Sequence, residues 1–358
     1  ENSCIRTILE DKNNNLIIGT EGDGMFVIST NSQQNSTIQN YTSTNSTLGH
    51  NIVQSLLIDQ SENLWIGTLQ GISKTDLKRN KFKVYRKSNS PNSVDLLGNV
   101  IASIYKDENG LLWVGNWGQG LNLVNRNTNK VEHFSTQKTG NHKIPNDFIH
   151  AIFKDSANQI WLGTRDGILI YDKPGNRFIR WYEFFNQPEL PSFNDIRINM
   201  IIQDSSSNYW IAAQNGLYKI NLKNSNVEIF KKELEDEHQL SANLVYCILE
   251  DSEGLIWIAT DGGLDVYYPQ TKKIKHFRIE EIGLSDDLII SLCEDSKGQI
   301  WIGTSAYVNK YNKTDSTFAY YSKEHGLPNN NIFEIIKDQN NELWFATGKG
   351  LCRFDENL

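Results

Sequence analysis

The sequence has no apolar run near the roughly 18–20 residues that a membrane-spanning helix requires, and no helical periodicity of useful length. Its opening, Glu1-Asn2-Ser3-Cys4, carries neither the basic nor the apolar stretch of a secretory signal. The expectation is a soluble piece with no membrane span, of the kind a longer chain can contain. Basic excess is missing too. The formal net charge is −8, which argues against electrostatic binding of nucleic acid. Cysteine is scarce: Cys4, Cys247, Cys293 and Cys352 are scattered with no C-x-x-C pair, so neither zinc nor a disulfide framework is expected. The histidines share no metal-ligand spacing, and no Gly-x-Ser-x-Gly, phosphate loop or dinucleotide fingerprint occurs. No cofactor is expected.

What the sequence does contain is a repeat. Seven segments run from an apolar-rich stretch to an Asp, then through a polar turn to a Trp six residues after the Asp. They are Asp59/Trp65, Asp107/Trp113, Asp155/Trp161, Asp204/Trp210, Asp251/Trp257, Asp295/Trp301 and Asp338/Trp344. An eighth pair, Asp11/Ile17, keeps the spacing with Ile in the Trp position, and successive anchors lie 43 to 49 residues apart. Each period reads as four short strands. Strand A ends at the Asp, as in Val53–Ile58; strand B is the Leu64–Thr68 type; strand C follows a Gly, as in Gly167–Asp172. Strand D is a short aromatic run such as Phe82–Tyr85. Four strands per period of about 45 residues match the blades of a β-propeller. The fold class is therefore all-β, a propeller of four-stranded antiparallel blades. Residues 1–358 are expected to form one propeller domain, of eight blades or of seven plus a partial one. The last repeat ends after strand C, at Leu351–Phe354.

A residue that recurs in every blade is best explained by the scaffold. The Trp anchors should fill the wedge between adjacent sheets, and the Asp should bond its own turn. A calcium role is not expected, because Asp107-Glu108-Asn109-Gly110 lacks the further ligands and closing Glu of a calcium loop. Asn51, Asn99, Asp147, Asn243, Asp287 and Asn330, with Ser3 in repeat 1, each stand eight residues before the repeat Asp. Their recurrence predicts a structural hydrogen bond at the start of strand A. His133 and His276 hold equivalent places in strand D and read as blade surface.

Function is expected where the repeat breaks, on the face that carries the B–C loops and D–A linkers. The B–C Gly lies six residues after the anchor at Gly71, Gly167, Gly216, Gly263 and Gly350. Repeats 1 and 3 place it one residue later, at Gly24 and Gly120, and repeat 3 puts Trp117 in the enlarged loop. Repeat 7 has Tyr307 instead of Gly, which predicts a changed loop. Trp117 and Tyr307 are candidate aromatic platforms for the apolar face of a sugar ring. Glu21, Asp23, Gln119, Arg165, Asp166 and Asp261 are loop groups able to meet its hydroxyls. Arg197 follows Ile196, the one break in the linker pattern, and is a candidate partner for a carboxylate or sugar oxygen. The bland alternatives are solvated loops, a cap on the channel, or contacts with a neighbouring domain. The run Trp181-Tyr182-Glu183-Phe184-Phe185 reads as a lip or a protein contact.

The runs Asp251–Leu264, Asp295–Thr304 and Asp107–Gly115 resemble two-component regulator propeller repeats, and the resemblance covers essentially the whole chain. It implies the periplasmic sensor region of a bacterial hybrid two-component histidine kinase, a family that often senses oligosaccharides. Such proteins carry two seven-bladed propellers, a small β-sandwich, a membrane helix and kinase domains, and the later parts are not in this sequence. The implied role is a ligand-sensing module that is not itself an enzyme. Its expected partners are a small-molecule or oligosaccharide ligand and neighbouring domains of the receptor, with a receptor dimer as a further expectation. One rival is a propeller lyase similar to the streptogramin lyases, with His50, His150 or His238 as base beside Asp261 or Glu21. Another is a protein-interaction platform with no small ligand.

Overall fold

The computed structural model describes residues 4–12, 14–30, 36–46, 48–59, 63–76, 87, 95–125, 128, 130–233, 239–279, 283–338 and 340–354. These form two compact units, residues 1–84 and 85–358, and each is all-β. The first unit holds blades 1 and 2, and the second holds blades 3 to 8. Six blades are four-stranded antiparallel sheets in simple A-B-C-D order, while blades 2 and 8 have three described strands. Blade 4 shows the pattern: A is Ile149–Lys154, B is Ile160–Thr164, C is Gly167–Asp172 and D is Arg177–Arg180. The strand D expected at Phe82–Tyr85 lies outside the described residues, as does Ser3. No helix of the described residues is long and apolar enough to cross a membrane.

The invariant six-residue spacing has a physical cause that the sequence did not disclose. One carboxylate oxygen of the repeat Asp closes the A–B turn by accepting backbone N–H bonds, as from Asn208 to Asp204 at 2.7 Å. The other accepts the anchor's indole N–H, at 2.8 Å for Trp65, Trp210, Trp257 and Trp301 and 2.9 Å for Trp161. The side chain thus ties turn to anchor. Blade 1 has no indole at Ile17, and Asp11 accepts instead from the backbone and side chain of Asn15, at 2.9 and 2.7 Å.

Within residues 85–358 the A strands of successive blades are neighbours, and each anchor from Trp113 to Trp301 packs on an aromatic of the next blade. Ring centroids are 5.0 Å apart for Trp113–Tyr171, 4.6 Å for Trp161–Tyr209 and 5.4 Å for Trp210–Tyr267. Trp161, Trp210 and Trp301 are wholly buried, as wedge packing requires. Trp65 and Trp344 are only half-buried; each is the last anchor of its unit, with no following blade of that unit against it.

The linker residues act as scaffold. The side-chain oxygens of Asn51, Asn99, Asp147, Asn243, Asp287 and Asn330 each accept a backbone N–H bond from just beyond strand D, at 2.7 to 2.9 Å. Two readings need correction. Trp181 is not a lip: it opens a one-turn helix, Trp181–Phe184, and is fully buried beside Trp161 and Phe193. The linker of blade 4 thus folds inward as core. His133 and His276 are not simply blade surface, because they bond the fully buried Asn122 (3.0 Å) and Asp265 (2.7 Å).

Candidate functional site

Every A strand carries a β-bulge at its second residue. In blades 3 to 8 these residues are Ala102, His150, Asn199, Tyr246, Ile290 and Phe333. A bulge re-aims one side chain without ending the ladder, so the fold presents one variable residue per blade at the start of strand A. Beside it run two further rows. The residue after strand B donates its N–H to the carbonyl of the residue before strand A: Trp117 to Val100 (2.9 Å), Arg165 to Phe148 (3.2 Å), Gln214 to Arg197 (3.0 Å) and Asp261 to Leu244 (3.3 Å). Backbone bonds join these two rows to each other, so their side chains are free to vary.

In blades 3 to 5 these rows converge. Trp117 leaves half its surface, 50%, in solvent, and its ring stands edge-on to His150 at 4.8 Å and Phe148 at 6.1 Å. The Arg165 guanidinium lies over the Phe148 ring at 5.3 Å. Burial pushes His150 down to about pKa 4, helped by the nearby charges of Arg197 and Arg165. The imidazole is therefore neutral at pH 7. Its Nε2 and the Nε of Arg197 are both buried without a hydrogen-bond partner among the described residues. Because folding holds His150 below the ordinary 6.5, its contribution to stability is complete above pH 6.5 and is lost as pH falls toward 4. Melting temperatures between pH 7 and 4.5 should fall more steeply for the native chain than for His150→Gln. Parallel curves would show that His150 titrates normally.

The other expected site residues are placed differently. Gln119 is exposed, with its side-chain oxygen lying against Gly98, where a Cβ would come within 1.8 Å of it. Asp166 is already committed: Arg180 bonds its carboxylate at 2.7 Å and the Asp195 N–H donates to it at 2.8 Å. Asp261 is exposed, one blade further round from Arg197. Glu21 and Asp23 belong to the first unit, where Arg6 holds Glu21 in a two-bond pair of 2.5 and 3.2 Å. The Asp23 N–H donates to the Thr20 hydroxyl at 3.1 Å.

Tyr307 stands in blade 7, half-buried against Tyr320 at 5.6 Å, and the described contacts do not join it to Trp117. Its loop differs as expected. Gly120 has φ 88°, and a Cβ there would sit 2.2 Å from the Phe134 carbonyl oxygen. Tyr307 is not among the left-handed residues, yet it keeps the Thr304 hydroxyl bond to its carbonyl at 2.8 Å.

Of the histidines expected as bases, His150 lies beside Trp117 at 4.8 Å. His50 spends its Nδ1 accepting from the Ile52 N–H at 3.0 Å, and His238 lies outside those residues. Ser241, His276 and Asp265 meet, but Ser241 and Asp265 both reach the same ring nitrogen, at 3.3 and 2.7 Å. A nucleophile relay needs the two partners on opposite nitrogens. Blade 7 has a related bond, with Asn309 accepting from the Ser285 N–H at 3.1 Å, so this is a buried strut. A groove of about 500 Å³ between blades 7 and 8 is lined by Trp301, Tyr321, Phe345 and Phe354 and includes no residue of these rows.

Comparison with known proteins agrees with the repeat. Residues 95–118, 143–166, 239–262, 283–306 and 326–349 match the two-component regulator propeller family. Histidine kinase P4 of Formosa agariphila is 25% identical over 279 residues, covering 76% of this chain and 19% of that protein. Among solved structures, one described as the extracellular domain of a hybrid two-component system of B. thetaiotaomicron superposes with a TM-score of 0.60. It is 23% identical and covers 99% of this chain and 51% of its own. Virginiamycin B lyase from Staphylococcus aureus has a TM-score of 0.50 at 11% identity, covering 98% of this chain and 93% of its own. At these identities both structures show the propeller fold alone. The chain spans about a fifth of the kinase and half of the extracellular domain.

Proposed function

We propose that this chain, which carries two-component regulator propeller repeats, is the ligand-recognising module of a two-component receptor. It lies outside the cytoplasm, binds an oligosaccharide and passes the signal to a kinase beyond this sequence. The observation that carries the reading is the half-exposed Trp117, held edge-on by Phe148 and His150 in a row whose backbone is already satisfied. An indole fixed on its edge offers its face to the C–H side of a pyranose, and buried aromatic anchors dominate such recognition. The module recognises its ligand and does not transform it.

Calorimetry with an oligosaccharide panel tests this. A binder should lose affinity about tenfold or more in Trp117→Ala and keep it in Tyr320→Ala. Binding that ignores Trp117→Ala would place the site elsewhere. Turnover of a panel member that is abolished by His150→Gln would make the chain a lyase instead.

A further inference from the structure

We infer that the ligand of the Trp117 site is an acidic saccharide, whose carboxylate or sulfate is received by Arg165 and Arg197 while its ring stacks on Trp117. The inference rests on the recognition reading above and names the chemical class of its ligand.

The charge pattern is the first ground. Seven arginines are described, and four of them hold a carboxylate: Arg6 with Glu21, Arg177 with Asp172, Arg180 with Asp166 and Arg353 with Glu342. Arg165, Arg197 and the exposed Arg278 hold none among the described residues. Two of these three stand in adjacent blades: the Gly167 N–H bonds the Ile196 carbonyl at 3.0 Å, joining the loop of Arg165 to the residue before Arg197, and both charges reach His150. In a chain of net charge −8 carboxylates are plentiful, so two cations of adjacent blades without an acid among the described residues are a local reversal of sign. The acids next to them in sequence do not neutralise them. Asp166 is held by Arg180 and a backbone N–H, and Asp195 is exposed and forms no ion pair among the described residues.

The second ground is the unmet hydrogen bonding. A buried donor without a partner costs free energy, and Arg197 Nε has none among the described residues. A guanidinium meets a carboxylate or sulfate through two parallel N–H bonds. The stacking of Arg165 on Phe148 occupies one face of its guanidinium and leaves the edge N–H groups available. His150 is neutral, so it adds a hydrogen bond and no third charge. Donors and aromatic face come from three consecutive blades.

The test is calorimetry of the whole chain with hexuronate oligosaccharides, sulfated oligosaccharides and their neutral parents, at low and high salt. The expected result is binding of an acidic member and not of its neutral parent, weakening as salt rises. Affinity should fall about tenfold to a hundredfold in Arg165→Gln and in Arg197→Gln. Because Arg197→Gln changes a buried group, Arg197→Lys and a thermal melt accompany it. A folded Lys variant that recovers part of the loss supports the charge role. Neutral members that bind with full dependence on Trp117, insensitive to salt and to both arginines, would overturn the acidic class and keep the saccharide reading. Binding that ignores both Trp117 and the arginines, or no binding to either panel, would overturn both.

Discussion

Trp210→Ala should destabilise the chain by about 3–5 kcal/mol, whereas Trp344→Ala should cost about 1 kcal/mol or less. The two residues occupy one repeat position and bond equivalent aspartates, at 2.8 and 3.0 Å. They differ in what covers them. Trp210 is wholly buried, with its centroid 5.6 Å from Phe230 and 5.4 Å from Tyr267 of the next blade. Trp344 is half-buried. If the anchor's value lies in filling the wedge between blades, denaturant midpoints will separate the two variants widely. Equal losses would mean that the indole–carboxylate bond carries the stability and the wedge does not.

Lys313→Met should cost about 3 kcal/mol. The Lys313 ammonium sits 3.1 Å from Asp251, 3.0 Å from Glu253 and 3.1 Å from Glu294, joining blades 6 and 7. The Asp251 side chain is fully buried and also accepts from Trp257 at 2.8 Å and from the Leu255 N–H at 2.9 Å. Burial works against the lysine's charge, but the three carboxylates outweigh it and hold its pKa above the ordinary value. The contribution is therefore complete below pH 10.5 and is lost as pH climbs beyond it. Removing the cation leaves a buried carboxylate with its N–H donors and no counter-charge. Denaturation of Lys313→Met, alone and combined with Asp251→Asn, checks this. Asp251→Asn should cost less on the Lys313→Met background than on the native chain, and a Lys313→Met cost near zero would show the cluster to be solvent-screened.

The sequence disclosed the blades because a side-chain bond of fixed reach sets the same six-residue spacing in seven of them. An Asp that closes a turn and also receives an indole six residues on leaves no freedom in the spacing, and Asp204/Trp210 differs from Asp251/Trp257 in nothing essential. The linker residues were readable for the same reason, since Asn243 and Asp287 perform one bond in one place. The bulges were hidden. They are backbone events, and the residues at them, among them His150, Asn199 and Phe333, share no chemistry. Aligning the blades on Asp and reading the column five residues before it would have exposed that row. Asp166 and Glu21 looked available because their partners, Arg180 and Arg6, lie 14 and 15 residues away and meet them only through the folded blade. Trp181 looked like a surface patch because an insertion's apolar residues do not declare whether they fold inward. His150 entered the reading only as a conceivable base; its partnership with Trp117 and the two arginines needed three blades in register.

The central claim is that recognition belongs to blades 3 to 5, where these rows break from the common pattern. Hydrogen–deuterium exchange with and without a binding oligosaccharide tests it directly. Protection should rise at residues 116–120, 148–150, 165–166 and 195–197 and stay unchanged in the equivalent loops of blades 6 to 8. Protection centred on residues 305–307 or 331–334, with none around Trp117, would contradict it.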